Sequence, residues 1–142
     1  MRLLLVLIFA ACPTLLIGQS VSAVDAGFIR SSAAYAEIIL RKTELQADLE
    51  TFLAGYTDAN PKVIDLRSEI ASLDKSMALI AAVKPTEAGK LTLALGKLIV
   101  RHASLDADHS RLSTGHNKDH PDLKRAKRKL EFFDAAIREL LR

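Results

Sequence analysis

The sequence predicts an all-α protein built from a tandem duplicated antiparallel helical hairpin. Three observations predict it. Sliding the chain by 60 residues places Leu45 on Leu105, Ala47 on Ala107, Asp48 on Asp108, Gly55 on Gly115, Pro61 on Pro121 and Asp74 on Asp134 without a gap. Extending backwards adds Ala34 on Ala94, Ile39 on Ile99 and Arg41 on Arg101. Apolar residues recur at alternating steps of three and four, the spacing of a helical seam, and no stretch alternates with the two-residue period of a strand. Most glycines and prolines fall where one such run stops and the next starts, as helix punctuation does.

The first segment, residues 1–23, reads as a secretory signal. Met1-Arg2 is a short basic start, Leu3 to Ile17 is almost wholly apolar, and Val21-Ser22-Ala23 is a small-residue cleavage pattern. That order is the one signal peptides follow. A retained anchor needs roughly 20 apolar residues, and this run is shorter and interrupted by Pro13. Phe9-Ala10-Ala11-Cys12 loosely resembles a lipoprotein box, which makes lipidation of Cys12 the minor alternative. Cleavage after Ala23 leaves a chain with no cysteine, so no disulfide or thiol chemistry is expected in spite of export. The expected setting is the periplasm or cell envelope. Two repeats follow, 24–83 and 84–142.

In repeat 1 the first helix is expected from about Ala26 to Gly55. Its seam is Tyr35, Ile38, Leu45, Leu49, Phe52 and Tyr56, with Lys42 in one slot. Tyr56 to Ala59 is a turn. Asn60 is a good N-cap, and Pro61 suits the first helical position, where its missing N–H costs nothing. The second helix runs from Pro61 to about Val83 with an unbroken seam of Val63, Leu66, Ile70, Leu73, Met77 and Ile80. So short a turn makes the two helices antiparallel.

Lys84 to Glu87 links the repeats, with Pro85 as the breaker and Thr86 as the expected cap of the next helix. That helix is expected from about Glu87 to Gly115, with Leu95, Leu98, His102, Leu105, His109, Leu112 and His116 in its seam. After the turn Asn117 to His120, the last helix runs from Pro121 to about Leu141, with Leu123, Ala126, Leu130, Phe133, Ile137 and Leu140 in register. Four helices of this size, roughly 30 to 45 Å long, are expected to close as a four-helix bundle with coiled-coil-like packing, or to pair hairpin by hairpin with other copies.

The turn Tyr56-Thr57-Asp58-Ala59-Asn60-Pro61-Lys62-Val63, followed by Leu66, Ile70 and Leu73, resembles the periplasmic coiled-coil hairpin of polysaccharide chain-length determinant proteins, the polysaccharide co-polymerases. In that family a Tyr-Thr-Asp-x-His-Pro-x-Val turn joins two long helices. The second copy, Asn117 to Leu123, keeps the turn's Asp119 and Pro121, supplies His120, and has His116 where the tyrosine would be. The resemblance covers about 45 residues of each repeat. It implies a scaffold hairpin in the envelope and brings no catalytic residue with it; the family's membrane helices and kinase domain lie outside it.

Three histidines, His102, His109 and His116, fall every seven residues along one seam. One expectation is a pH-sensitive contact, since histidine changes charge near pH 6.5. A metal site is the other. Seven residues separate two backbone positions by about 10 Å, too far for two ligands that each sit about 2 Å from one zinc. The local grouping for a metal is instead His116, His120 and Asp122 around the turn. A loosely packed, wet seam remains the plain reading.

The basic run Lys124, Arg125, Lys127, Arg128 and Lys129 opens the last helix. Residues 24–83 carry 6 basic and 9 acidic side chains, a net −3, whereas residues 84–142 carry 13 and 8, a net +5. Such a face suits anionic lipid or an acidic glycan, or docking of one copy's repeat 1 on another's repeat 2. A solvated helix face is the plain reading. Nucleic acid is not the expected partner of an exported chain. No nucleophile in a catalytic context and no glycine-rich phosphate loop occurs in the sequence after Ala23. The expectation is a non-enzymatic scaffold or adaptor without a cofactor. The expected partner is a second copy or a coiled-coil envelope protein such as a component of polysaccharide export. The alternative is a small metal- or pH-responsive binding protein that uses the histidines.

Overall fold

Five α-helices and one 3-10 run make up the described residues, 23–142, of the computed structural model. They are α1 (Ala23–Arg30), α2 (Ala33–Leu53), α3 (Pro61–Ala81), the 3-10 run Pro85–Lys90, α4 (Leu93–Gly115) and α5 (Pro121–Leu141). Among the described residues there is no strand, and no helix is long and apolar enough to cross a membrane. The expected signal segment, apart from Ala23, and Cys12 lie outside the described residues.

The duplication is visible in the caps. Ser32 and Thr92 open α2 and α4, and each hydroxyl accepts the N–H three residues on, from Tyr35 and Leu95, at 3.2 Å in both. Asn60 and His120 open α3 and α5, and their side chains accept from Lys62 and Asp122 two residues on. The turns close alike, with Asn60 N–H on the Thr57 carbonyl at 3.0 Å and His120 N–H on the Asn117 carbonyl at 2.9 Å. Each cap satisfies a helix-end donor that would otherwise be orphaned.

Two expected boundaries are corrected. The first long helix is broken at Ser31-Ser32. Ser31 and Ser32 hydroxyls donate to the carbonyls of Phe28 and Ile29, at 3.1 and 2.6 Å, which ends α1, and Ser32 then caps α2. Short hydroxyl side chains compete with the helical ladder in this way. The third long helix starts at Leu93 rather than at Glu87, because Pro85–Lys90 winds as a 3-10 run and Thr92, not Thr86, supplies the cap. Three residues expected in the seams, Tyr56, His116 and Leu140, are exposed. The first two sit past the ends of α2 and α4, where the helical register no longer carries them inward.

Helix α4 is the centre of the packing. It lies against α2, α3 and α5, and α2 also lies against α3, whereas among the described residues α5 packs extensively with α4 alone. The fully buried side chains Ile38, Leu45, Leu73, Ile80, Leu95 and Ile99 come from α2, α3 and α4. Each is worth about 1.5–3 kcal/mol of transfer from water. The four long helices are therefore a tight group of three with α5 laid on the outside of α4. Directions follow from the contacts. Near their N-termini α2 and α4 run side by side, where a Cβ on Gly96 would come 2.9 Å from Ala34 Cα and Glu37 Cβ. The absent side chain is what allows these parallel backbones to approach so closely. Helices α3 and α5 each run antiparallel to α4.

Burial differs between the hairpins. In α3 the seam residues Val63, Leu66, Leu73 and Ile80 are buried, and so is a second stripe of Glu69, Ser72 and Ser76. In α5 only Leu123 and Ile137 are buried. The residues sixty on from that second stripe are Lys129, Phe132 and Ala136, and Phe132 is 76% exposed.

Candidate interaction surface

The ionic ties across each hairpin come from equivalent positions. Lys42 on α2 meets Asp74 on α3, and sixty residues on His102 on α4 meets Asp134 on α5, Nε2 to Oδ1 at 3.1 Å. His102 is thus the counterpart of a lysine that spans the hairpin. Its side chain is 18% exposed, and charge on the ring meets a carboxylate there as well as the apolar seam.

The three seam histidines do not share one environment. His109 is half-buried and lines an open groove of about 370 Å³ with Leu123, Lys124 and Lys127. His116 is exposed, its Nδ1 3.2 Å from the Leu112 carbonyl. The turn does bring His116 and His120 together, with ring centroids 4.1 Å apart. Asp122 Oδ2 is 3.8 Å from His120 Nδ1, but that nitrogen accepts the Asp122 N–H as the helix cap. Among the described residues no group of three or more His, Cys, Asp or Glu is arranged to hold a metal ion.

The basic run lies on the exposed part of α5, with Lys124, Arg125, Lys127, Arg128 and Lys129 all at the surface. Three of the five are partly neutralised nearby: Lys124 by Asp119 at 2.9 Å, Arg125 by Asp122, and Lys127 by Glu131 at 3.9 Å. Arg128 and Lys129 form no ion pair among the described residues, so the net positive field of the run comes from them.

A second charged site was not anticipated. Arg41 Nε and Nη2 on α2 both donate to Glu69 Oε1 on α3, at 3.0 and 2.9 Å, beside an open groove of about 380 Å³ that α4 also lines. Burial works against the charge on Arg41. The hydrogen bond and charge of Glu69, with a smaller part from Glu44, outweigh it and raise the guanidinium above its usual value. Lys97 and Arg101 of α4 line the same groove. Further along α4, Arg111 reaches Asp65 at 3.5 Å and Asp108 at 2.8 Å. The hydrogen bond and charge of Asp108, then the charge of Asp65, raise it too. The sixty-residue register relates the Lys42–Asp74 tie to His102–Asp134, but the Arg41–Glu69 and Arg111–Asp65 ties have no counterpart in it, since Lys129, Arg125 and Thr51 stand at the equivalent positions. Hydropathy signals none of these ties, because each residue alone looks like a surface charge.

The described surface has shallow open grooves and no deep enclosed cleft among those lined by described residues. What it offers is helix faces, one strongly basic and one acidic. Comparison of the chain with known protein families, with characterised proteins and with solved structures finds no match.

Proposed function

We propose that this protein is an exported, non-enzymatic helical scaffold or adaptor of the bacterial cell envelope that works by helix-to-helix contact with itself or with a larger coiled-coil protein. The observation that carries the reading is α5. Its seam lies on α4, while Phe132 and the basic run face outward on a helix with no other extensive partner among the described residues. Exposed aromatic surface ringed by charge is a feature of association sites. The signal-like order of residues 1–23 and the turn resemblance support an envelope setting, and the resemblance favours a component of polysaccharide export as the partner. Anionic lipid or acidic glycan is the second class of ligand that the basic face suits.

The test is export and association measured together. A C-terminally tagged chain expressed in a Gram-negative host is expected in the periplasmic fraction with Val24 as its first residue. The recovered protein is expected to assemble with itself or with the periplasmic hairpin region of a chain-length determinant protein. A full-length chain retained in the cytoplasm that binds neither would overturn the proposal.

A further inference from the structure

We propose that copies of this chain associate head to tail, with α2 of one copy lying on the outer stripe of α5 of the next, in the register that α4 takes on α3 within one chain. The proposal rests on the self-associating form of the scaffold reading and names its surface.

The internal contact supplies the template. The face of α3 that meets α4 runs through Asp65, Ser68, Ser72 and Ser76: Asp65 pairs with Arg111, and Ser68 shares a groove with Ala107 and Ser110. Sixty residues on, the same face of α5 carries Arg125, Arg128, Phe132 and Ala136, and the first three are exposed. On the other side of the contact α4 buries Ile99, Ala103 and Ala107, the last of them in that groove. Sixty residues back, α2 carries Ile39, Thr43 and Ala47, of which Thr43 and Ala47 are exposed. Each molecule therefore shows both halves of its own internal contact, one on α5 and one on α2.

The acids of α3 are replaced by bases on α5: where α3 has Asp65 and Glu69, α5 has Arg125 and Lys129. Where α4 has Lys97, Ser104 and Ser110, α2 has the acids Glu37, Glu44 and Glu50. Bases on one copy's α5 therefore meet an acidic α2 on the next, and the net −3 and +5 of the two repeats orient the approach. The sizes change as well: Phe132 stands where Ser72 is, so two copies sit wider apart than α3 and α4 do. Leu40, 59% exposed, lies one turn from Thr43 on α2 and adds a second apolar surface.

A contact between two different faces leaves one of each free at the ends, so it grows into a ring or a filament and does not stop at a dimer. The experiment is light scattering on the chain recovered from an exporting host, with helicity and melting checked by circular dichroism. Wild type is expected to grow beyond a dimer with concentration and to shrink with added salt. Phe132→Asp blocks the α5 face and Thr43→Arg the α2 face, both at exposed positions. Each variant alone is expected to be monomeric, and a mixture of the two is expected to stop at a dimer. Lys129→Glu is expected to weaken self-association about tenfold, with recovery against a Glu44→Lys partner. A mixture that stays monomeric, or a variant that still dimerises alone, would overturn the head-to-tail contact while leaving self-association by another face. Monomeric wild type at every concentration would overturn it too, and would leave the scaffold reading to stand or fall on binding to the chain-length determinant hairpin.

Discussion

His102 stands to Asp134 as Lys42 stands to Asp74, one repeat apart and in the same place across the hairpin. The duplicated chain has kept the tie and changed one of its cations to a group that can lose its charge. A double-mutant cycle on His102→Ala and Asp134→Ala is expected to give a coupling of about 0.5–1 kcal/mol favouring the pair, modest because Asp134 is about half exposed. A coupling of zero in urea unfolding at pH 6 would mean that the contact carries no stability.

Gly96 is expected to resist substitution. A methyl group there meets the backbone of Ala34, which cannot move without shifting α2. Helix propensity alone favours Gly96→Ala by about 1 kcal/mol, and overpacking of this kind costs about 1–3 kcal/mol, so a net loss is expected. Gly115→Ala, with nothing within 4 Å of the new methyl, is the control and should not destabilise. The urea midpoints of the two variants decide it.

Breaking the Arg41–Glu69 tie is expected to cost about 1 kcal/mol for Glu69→Gln, below the usual range for hydrogen bonds to a charged group because Arg41 is about one-third exposed and solvent screens the pair. Glu69→Lys, which places the repeat 2 residue in repeat 1, should cost more, because it sets a second cation beside Arg41 in a groove also lined by Lys97 and Arg101. Thermal melting of both variants tests the order.

The link between the 3-10 run and the end of α5 is expected to respond to acid. Lys90 holds the Glu87 carboxyl below the usual glutamate range, by its hydrogen bond first and its charge second, and Lys90 also donates to the Leu141 carbonyl at 3.0 Å. A carboxyl lowered in the folded state adds stability that is present above its unfolded value, about 4.3, and is lost as pH falls through its lowered folded value. The difference in melting temperature between wild type and Glu87→Gln should therefore be largest near neutrality and close below pH 4.

His120→Asn installs the cap that repeat 1 uses. Asparagine is among the preferred N-caps, and a gain of about 0.5–1 kcal/mol is expected. The same variant removes the ring next to His116. Any zinc-induced rise in the wild-type melting temperature that survives in His120→Asn would come from elsewhere in the chain.

What the sequence made legible was local. Pro61 and Pro121 marked helix starts to the residue, because a missing N–H and a fixed φ act on the backbone directly. The seam of α3 was legible for the same reason, as a period in the chain itself. The break at Ser31-Ser32 was not, because two serines inside an apolar period look like exposed positions until their hydroxyls are seen on the Phe28 and Ile29 carbonyls. Nor was the burial of Ser72 and Ser76. Small polar residues have no hydropathy signal, and what buries them is the approach of α4, a fact about a distant helix. At the basic run, the residue types were legible but their neutralisation by Asp119, Asp122 and Glu131 needed coordinates.

The outlying place of α5 also bears on how the molecule comes apart. A helix held mainly by one neighbour can detach without opening the group that α2, α3 and α4 make, so its amides should exchange with solvent deuterium ahead of theirs, as one cooperative unit. The same helix would be the last to settle during refolding, since the contacts of α2, α3 and α4 do not wait for it. Assembly through its outer face would slow that exchange, and the protection of α5 alone would then report how many molecules in solution have found a neighbour.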